Sequence, residues 1–436
     1  MRFKSTSSDI SPVSFRDAVL DCLPGDGGLY VPDTAMDLRQ FFLYMDEDIS
    51  FPEMAASVVP CLFESELNPV SASRVAQSAF DFEPELIRLD DDFSILNLHN
   101  GPTGVYKDFG IAFLAASMEE MIKDSGQHMV FSAVRGDTGV SIARAFSGRK
   151  DITAVLVYPS GPVRGLNQDD FITNGGNIIP IQIRGSFDDC QRLVSETILD
   201  RDFSSRYNIT SANAINPGRL LPQVFYYLYA FIKMKKELSG DLAFSVPCGN
   251  FGNLIAGLYA WKFGMPVNGF IAAMNSNNTL GDFLKGCPFV RRQAISTNSP
   301  ALDVSVPSNL KRLESFYREA PSVMRNMVFP VSVDDTQTLQ AIEYAWKKYS
   351  IYLNPHSAVA FAAAKTIADK GNCKSYGHTV ILATGHYART SVVTGKATGQ
   401  DIPVPESFRL LNREIDPIAV ISPRIEAFEG IVAGCF

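Results

Sequence analysis

The stretch His99-Asn100-Gly101-Pro102-Thr103-Gly104-Val105-Tyr106-Lys107-Asp108-Phe109-Gly110 marks a strand–turn–helix junction around which the rest of the chain is arranged. Residues 93–98 before it have a strand-like apolar pattern, and residues 111–118 after it have apolar side chains at helical spacing. Lys107 is therefore expected at a helix start, where unpaired N–H groups disfavour an ammonium and favour the neutral amine. A neutral amine can bond covalently to an aldehyde, although an ordinary solvated lysine also fits this position.

Composition and charge narrow the class of protein. The 436 residues are 46% hydrophobic and 20% charged, which is typical of a globular chain with two or three packed units. The net charge of −8, without a basic block, argues against nucleic acid or a membrane as a partner. The chain shows no signal-peptide pattern or membrane-spanning stretch, and its seven cysteines are scattered. We therefore expect a cytoplasmic protein without disulfides or a metal site.

A second junction is Ser245–Asn253, SVPCGNFGN, where a buried strand runs into two glycines before a helix begins. Glycines let backbone N–H groups approach an anion closely, and a helix N-terminus adds its dipole. The pattern thus predicts a phosphate-binding loop. A turn that uses glycine for packing alone remains an alternative.

Three more segments join strands to helices or turns. Val134–Gly139, VRGDTG, follows a strand and offers helix-capping side chains. Ser211–Arg219, SANAINPGR, places polar side chains every three residues, so that one helical face could present them together. Ile381–Arg389, ILATGHYAR, runs from a strand into a turn. Capping and surface exposure would also explain these residue types.

Taken together in chain order, these segments resemble the threonine synthase family, pyridoxal-phosphate (PLP) enzymes of the tryptophan-synthase-β type. HNGPTGVYKDFG is similar to the family's HGPTxxFKDF, VRGDTG to TSGDTG, SANAINPGR to NSxNxxR, VPCGNFGN to VPxGNFGN, and ATGHYAR to GTAHPAKF. Residues 13–33 also resemble the opening of the threonine synthases that carry an additional N-terminal domain.

The resemblance implies PLP as the cofactor and a role for each matching residue. It identifies Lys107 as the PLP-binding and catalytic lysine. It places further cofactor contacts at Gly249, Asn250, Phe251, Gly252 and Asn253 around the phosphate, at Thr384 near the pyridine nitrogen, and at Asp137. The implied substrate-binding residues are Arg135, Gly136, Thr138, Asn213, Asn216 and Arg219. No metal is implied.

The fold implied is α/β, tryptophan-synthase-β-like, with two open twisted α/β domains and an additional mainly helical N-terminal domain. The expected ranges are 1–92 for the N-terminal domain, 93–126 plus 215–400 for the large PLP domain, 127–214 for a small mobile domain, and 401–436 for a tail packed on the body. Periodicity predicts strands at 128–134, 152–158 and 177–183, helices at 138–146, 163–173, 187–198 and 219–236, and no regular structure over 275–330.

The function implied is PLP-dependent conversion of O-phospho-L-homoserine and water to L-threonine and phosphate, a carbon–oxygen lyase reaction of threonine biosynthesis. The partner would be a small phosphorylated amino acid, with a monomer or a homodimer left open. The chain departs from the family where Val134-Arg135 replaces Thr-Ser and where Gly385, Tyr387 and Arg389 differ. Two alternatives therefore remain: a phospho-lyase that releases 2-oxobutyrate, and a non-catalytic binding protein on the same scaffold.

Overall fold

The computed structural model describes residues 1–436 except 9, 35, 65, 124, 160–162, 165, 167, 239, 285–286, 370–376, 412–413 and 435–436, and it leaves the side chains of residues 163, 164, 410 and 415 undescribed. The strands are β1 Arg2–Ser5, β2 Val13–Ser14, β3 Tyr30–Pro32, β4 Glu85–Arg88, β5 Phe93–Asn97, β6 His128–Ala133, β7 Ile152–Pro159, β8 Val163–Arg164, β9 Ile178–Ile183, β10 Ile209–Ser211, β11 Leu242–Pro247, β12 Gly269–Met274, β13 Val328–Ser332, β14 His378–Ala383, β15 Glu414–Ile415 and β16 Ala419–Ile421.

The helices are α1 Phe15–Asp21, α2 Arg39–Tyr44, α3 Phe51–Phe63, α4 Pro69–Ala79, α5 Lys107–Met121, α6 Asp137–Phe146, α7 Phe187–Leu199, α8 Arg201–Arg206, α9 Pro217–Leu220, α10 Val224–Met234, α11 Gly252–Lys262, α12 Leu280–Leu284, α13 Leu310–Glu319, α14 Pro321–Met327, α15 Asp335–Tyr349, α16 Pro355–Ile367, α17 Ser391–Thr398, α18 Glu406–Leu411 and α19 Ile425–Gly434. Cys373 and Cys435 lie outside the described residues.

Two sheets of mainly parallel strands form the centre of the molecule. The large sheet has the order β13-β12-β11-β14-β5-β4, and its strand pairs are parallel except for β4 with β5. The small sheet has the order β10-β6-β7-β9-β16 and is parallel throughout. Strands such as β6 and β11 are buried along their whole length, as parallel strands covered on both faces should be. The predicted α/β fold class is confirmed.

The N-terminal part of the chain packs on helices α5 and α10 through aromatic side chains. Phe51 at the start of α3 contacts Phe80, Phe109 and Tyr229 edge-on, with ring centroids 4.9–5.5 Å apart. Phe109 belongs to α5, so these contacts join the N-terminal helices to the helix that begins at Lys107. Burial of such rings stabilises the junction by roughly 1.5–3 kcal/mol per side chain.

Some expected elements differ in the structure. The helix expected over 219–236 is divided into α9, a 3-10 turn at Leu221–Gln223 and α10, since Pro222 lacks an N–H group for an α-helical bond. The helix expected over 163–173 is wrong: the described residues there form β8 and 3-10 turns at Gln168–Asp170 and Ile172–Asn174. Segment 275–330 is more regular than expected, because it contains α12, α13 and α14.

The C-terminal residues complete the small sheet. Strand β16 pairs with β9 in parallel, and Phe428 of α19 packs edge-on against Phe131 of β6 at 5.3 Å. Residues 401–436 thus contribute a strand to a sheet whose other strands come from 128–211. The division into domains stays a prediction.

Candidate active site

Turns from both sheets meet at one cavity of about 360 Å³. They follow β5, β11 and β14 of the large sheet and β6 of the small sheet, so the cavity lies at the carboxyl ends of parallel strands, where ligands of open α/β sheets bind. Among the residues singled out from the sequence, the cavity is lined by Lys107, Arg135, Asp137, Thr138, Asn213, Arg219, Gly249, Asn250, Phe251, Gly252, Asn253 and Thr384. Gly136 and Asn216 are not on its walls.

Lys107 is placed by the turn that joins β5 to α5. The backbone N–H of Tyr106 donates to the carbonyl of Thr384 at 3.0 Å, and Val105 forms an antiparallel bridge with Gly385. The turn after β14 therefore holds the turn after β5, and Thr384 and Lys107 reach the same cavity. The expected helix start is confirmed, since α5 begins at Lys107.

The pKa of the Lys107 ammonium is lowered, chiefly because the side chain is buried. Asp137 opposes this shift, while the guanidinium groups of Arg219, Arg389 and Arg135 add to it. The sequence had suggested the helix N-terminus as the cause, whereas desolvation is the largest contribution in the folded chain. Either way, a larger fraction of the amine is neutral and able to react with an aldehyde.

The loop after β11 has the backbone geometry of an anion cradle. Phe251 adopts φ +60° immediately before α11, and the first two residues of this helix, Gly252 and Asn253, lie on the cavity wall. A Cβ atom at Gly249 would lie 2.8 Å from the carbonyl oxygen of Ala301, so only glycine fits that position. The close approach at Gly249 is a packing requirement, whereas the left-handed turn at Phe251 before a helix whose first residues line the cavity favours a phosphate-binding loop.

Asn253 gives the cradle a free side-chain donor. The hydroxyls of Tyr226 and Tyr227 donate to its Oδ1 at 2.6 and 2.8 Å, which fixes the orientation of the amide. Its Nδ2 is buried and has no hydrogen-bond partner among the described residues. Buried amides are normally satisfied, so an unpaired donor on a cavity wall indicates a site built for a bound acceptor.

Asp137 is held by an ion pair that the sequence did not suggest. Arg389 pairs with Asp137 and also donates to the backbone carbonyl of Thr103 at 2.9 Å. Thr103 in turn donates its N–H and Oγ1 to the buried carboxylate of Asp108 at 2.8 and 2.6 Å. Burial raises the pKa of Asp137, but Arg389 and Lys107 lower it by more, so the net pKa shift is downward and the carboxylate stays ionised.

The polar groups of the 211–219 segment are largely used within the protein. Asn213 accepts from the N–H of Ala133 at 3.0 Å and donates to its carbonyl at 2.8 Å. Asn216 is fully buried, caps α9, and donates to the carbonyl oxygens of Val19 and Ser211. Arg219 is 6% exposed, and its Nε has no partner among the residues described. Of the three, Arg219 alone keeps an unpaired donor.

His356 is a cavity residue to which the sequence analysis assigned no role. Its Nε2 accepts from the N–H of Ala301 at 3.1 Å, and its Nδ1 lies 2.6 Å from Oδ1 of Asn354. Burial lowers its pKa to about 4, with a further contribution from Lys107, so the ring is neutral. The sequence Asn354-Pro355-His356 does predict a helix start, because an N-cap asparagine is followed by a proline at the first helical position.

Comparison with known proteins identifies the family. The family model described as pyridoxal-phosphate dependent enzyme matches residues 91–385, and the one described as threonine synthase N terminus matches residues 2–80. The chain is 34% identical over 399 residues to threonine synthase of Escherichia coli K12 and 33% identical over 403 residues to that of Serratia marcescens, covering 91% of both chains in each pair. This chain belongs to the threonine synthase family. The family expected from the sequence is confirmed.

Solved structures of the threonine synthase family share the whole fold. The crystal structure of the Escherichia coli enzyme matches with a TM-score of 0.88 at 29% identity, covering 100% of both chains. The PLP-bound enzyme from Brucella melitensis matches with a TM-score of 0.87 at 26% identity, covering 100% of this chain and 99% of that one. Both comparisons include the N-terminal part as well as the two central sheets.

Pyridoxal phosphate is the cofactor of this family, and the residues present fit it. Lys107 offers an amine with a lowered pKa, and Asn253 offers an unpaired donor in the cradle after β11. Across the described ranges, no His, Cys, Asp and Glu side chains are grouped to hold a metal ion. Within the same part of the chain, no helix is both long and apolar enough to span a bilayer.

Proposed function

We propose that this chain converts O-phospho-L-homoserine and water to L-threonine and phosphate. The observation that supports this most directly is the shared cavity, where Lys107, the Gly249–Asn253 loop and Thr384 lie on one set of walls. Arg135 and Arg219 add positive charge there, and the carboxylate of Asp137 is already paired with Arg389. An excess of cationic groups suits a phosphorylated cofactor and a substrate that carries both a carboxylate and a phosphate.

Each group of cavity residues would have its own role in binding and proton transfer. Lys107 would hold PLP covalently, the Gly249–Asn253 loop would bind its phosphate, and the Thr384 hydroxyl would face its pyridine nitrogen. When bound, PLP supplies an electron sink for charge that develops at the substrate's Cα. Lys107 Nζ, once free, would accept the Cα proton and return it along the substrate chain.

We also propose that residues 127–214 act as a small domain that closes over the substrate. The cavity walls come from both sheets, so an approach of the small sheet towards the large one would exclude bulk water. Asp137 and Thr138 at the start of α6 would then lie over the reacting groups.

We also propose that the protein is cytoplasmic and that it is either a monomer or a homodimer.

The loop after β6 motivates a second candidate, release of 2-oxobutyrate instead of threonine. Val134 is buried and Arg135 is exposed at the cavity, where the family pattern has two hydroxyl side chains. If Arg135 hinders addition of water, Arg135→Ser should form more threonine at the expense of 2-oxobutyrate. If Arg135 instead binds substrate, the same variant should have a higher KM for O-phospho-L-homoserine and still form threonine.

The deciding experiment is product identification from O-phospho-L-homoserine with the PLP-loaded protein. Threonine with stoichiometric phosphate is the expected result. A dominant yield of 2-oxobutyrate would support the second candidate. Absence of phosphate release from a protein with bound PLP would contradict both and favour a binding protein.

A further inference from the structure

Arg312 is a buried guanidinium that has no part in the chemistry proposed for the cavity. It lies on α13 and is 1% exposed. Its Nε donates to the carbonyl of Tyr30 at 3.0 Å, and its two terminal nitrogens donate to the carbonyls of Ala214 and Ile215 at 3.2 and 2.6 Å. These acceptors are uncharged backbone oxygens, although a buried charge is usually paired with an opposite one. The planar fork of N–H donors lets one side chain reach several backbone segments at once.

The acceptors of Arg312 belong to two different parts of the molecule. Ala214 and Ile215 line the cavity and lie between β10 and α9. Tyr30 belongs to β3 and to the N-terminal segment, the residues 2–80 that match the threonine synthase N terminus. One side chain therefore holds a stretch of cavity wall against the N-terminal segment.

Asn309 extends this contact to the phosphate-binding loop after β11. It is fully buried, and its Oδ1 accepts from Nη1 of Arg312 at 2.6 Å, which directs its Nδ2 to the carbonyl of Asn250, 3.2 Å away. The N–H of Ser308 donates to Oδ1 of Asn250 at 3.0 Å. Nδ2 of Asn309 is also the atom nearest to an added Cβ at Gly252. Arg312 and Asn309 together therefore lie directly behind this loop.

We propose that Arg312 is a positioning residue of the active site. Its own N–H groups hold the wall at residues 214–215, and the amide of Asn309 holds the loop at Asn250, so that the two keep one relative geometry. The N-terminal segment takes part because Tyr30 supplies a further acceptor. Fixed spacing matters here, since a displacement of about 1 Å can lower a rate by roughly a hundredfold. For the substrate, though not for PLP, this inference rests on the proposed function.

A contact that only attaches the N-terminal segment would affect stability alone, and Arg16 makes such a contact. Its Nε donates to the carbonyl of Met121 at 3.1 Å, and its Nη2 donates to Oγ of Ser125 at 3.3 Å, at the C-terminal end of α5. None of these three residues lines the cavity. Arg16→Met is therefore the matched control for Arg312→Met, because each variant removes an arginine that joins the N-terminal segment to the rest of the chain.

The test compares Arg312→Met, Arg312→Lys and Asn309→Ala with the wild type and the control. The dissociation constant of PLP is measured by titrating the PLP-free protein well below its unfolding temperature. KM and kcat are measured with O-phospho-L-homoserine at saturating PLP, and urea unfolding gives the stability of each variant. Asn309→Ala removes the bridge to the loop but keeps the backbone bonds of Arg312, so it decides the matter if Arg312→Met does not fold.

Arg312→Met should weaken PLP binding and lower kcat, each roughly ten- to a hundredfold, because the wall and the loop lose their common anchor. Asn309→Ala should weaken PLP binding about threefold to tenfold and leave KM unchanged, since residues 214–215 keep their bonds. Arg312→Lys should recover only part of the loss, because an ammonium lacks the planar fork. Arg16→Met should lose stability and keep its PLP affinity and kcat.

The outcomes separate the positioning role from the proposed function. Wild-type PLP affinity and kcat in a folded Arg312→Met, or in Asn309→Ala if only that variant folds, would overturn the positioning role and leave the function intact. Equal losses of PLP affinity in Arg312→Met and Arg16→Met would also overturn the role, since any weakened contact of the N-terminal segment would then suffice. Weakened PLP binding in Arg312→Met and Asn309→Ala alone, in a protein that forms no threonine, would support the role and overturn the function.

Discussion

At the scale of single residues, the chemistry depends on a lysine whose charge is unfavourable where it stands. Lys107 is buried near three arginines, and both effects lower the pKa of its ammonium. The carboxylate of Asp137 raises this pKa but offsets the lowering only in part. Asp137 itself forms an ion pair with Arg389. The lowered pKa of Lys107 therefore follows from its surroundings in the folded chain.

We predict that the purified protein carries PLP on Lys107 and absorbs in the near-visible range. Borohydride reduction should fix the cofactor to the peptide that contains Lys107, because burial lowers the pKa of its amine. Peptide mass spectrometry gives the site. Lys123→Ala, which changes an exposed lysine just after α5, serves as the control and should still be labelled on Lys107. Label on another lysine would contradict the assignment.

At Gly252 we predict that charge, more than size, is excluded. The atom nearest to an added Cβ, at 3.4 Å, is Nδ2 of Asn309, so Gly252→Ala should fold and keep most of its PLP affinity. Gly252→Asp places an anion beside the cofactor phosphate and should weaken PLP binding by at least tenfold. Affinity is measured by titrating the PLP-free protein. Equal affinity of the two variants would mean that the loop does not bind the phosphate.

At the scale of elements, Arg389 joins three turns that are far apart in sequence. It follows β14, pairs with Asp137 at the start of α6, and donates to the carbonyl of Thr103 before α5. The three turns belong to both sheets, so one side chain links the large sheet to the small one. The family pattern GTAHPAKF has a lysine at this position, so the turn after β14 keeps a basic group there.

Arg389→Met should reduce the free energy of unfolding by roughly 1–3 kcal/mol. Removing one partner leaves Asp137 without its cation, and the partial exposure of Asp137 makes the loss smaller than for a fully buried pair. Urea unfolding at pH 7.5 measures this change in the free energy of unfolding. Arg389→Met combined with Asp137→Asn should recover part of the loss. No difference between the single variant and the wild type would show that the pair does not contribute.

The same variant should change the response to acid. In the wild type the lowered pKa of Asp137 adds stability above its unfolded pKa, and this stability is lost as the pH falls through the folded value. Without Arg389 the pKa of Asp137 should rise, so this contribution is lost. Urea midpoints between pH 6 and pH 3 should therefore fall less steeply in the variant.

At the scale of the whole molecule, neutral histidines are packed around the cavity and its supporting turns. Burial is the first cause that lowers the pKa of His99, His356 and His386 to about 4. His99 and His386 contact each other, with ring centroids 5.1 Å apart, and His386 contacts Phe408 of α18 at 4.7 Å. The folded state therefore binds fewer protons than the unfolded chain between pH 6.5 and pH 4.

We predict that the protein loses stability as the pH falls through this window. The unfolded chain binds more protons there, so the free energy of unfolding decreases by up to about 1.4 kcal/mol per pH unit for each enclosed histidine, and by less for the more open His386. Urea midpoints at pH 7.5, 6.0 and 5.0 test this. His99→Gln should give a shallower pH dependence. An unchanged slope would mean that His99 is not neutral in the folded protein.

The sequence alone determined the local junctions and the family. Glycine and proline patterns, together with apolar periodicity, identified the junctions at Lys107, Gly252 and Thr384, because turn geometry depends on residues that are neighbours in the chain. Motifs that occur in the same order as in the threonine synthase family identified the family. The same local signals failed at 163–173, where a helical pattern of apolar residues lies in a segment of short turns.

The tertiary structure decided which of these turns meet and which donors are free. The strand order brings the ends of β5, β14 and β11 side by side and sets the small sheet opposite, a result of long-range pairing that no local pattern contains. It also directed Asn216 into the protein, paired Arg389 with Asp137, and placed the face of α7 along the cavity. Hydrogen-bond partners and burial depend on residues distant in the chain, so the pKa of Lys107 was set only on folding.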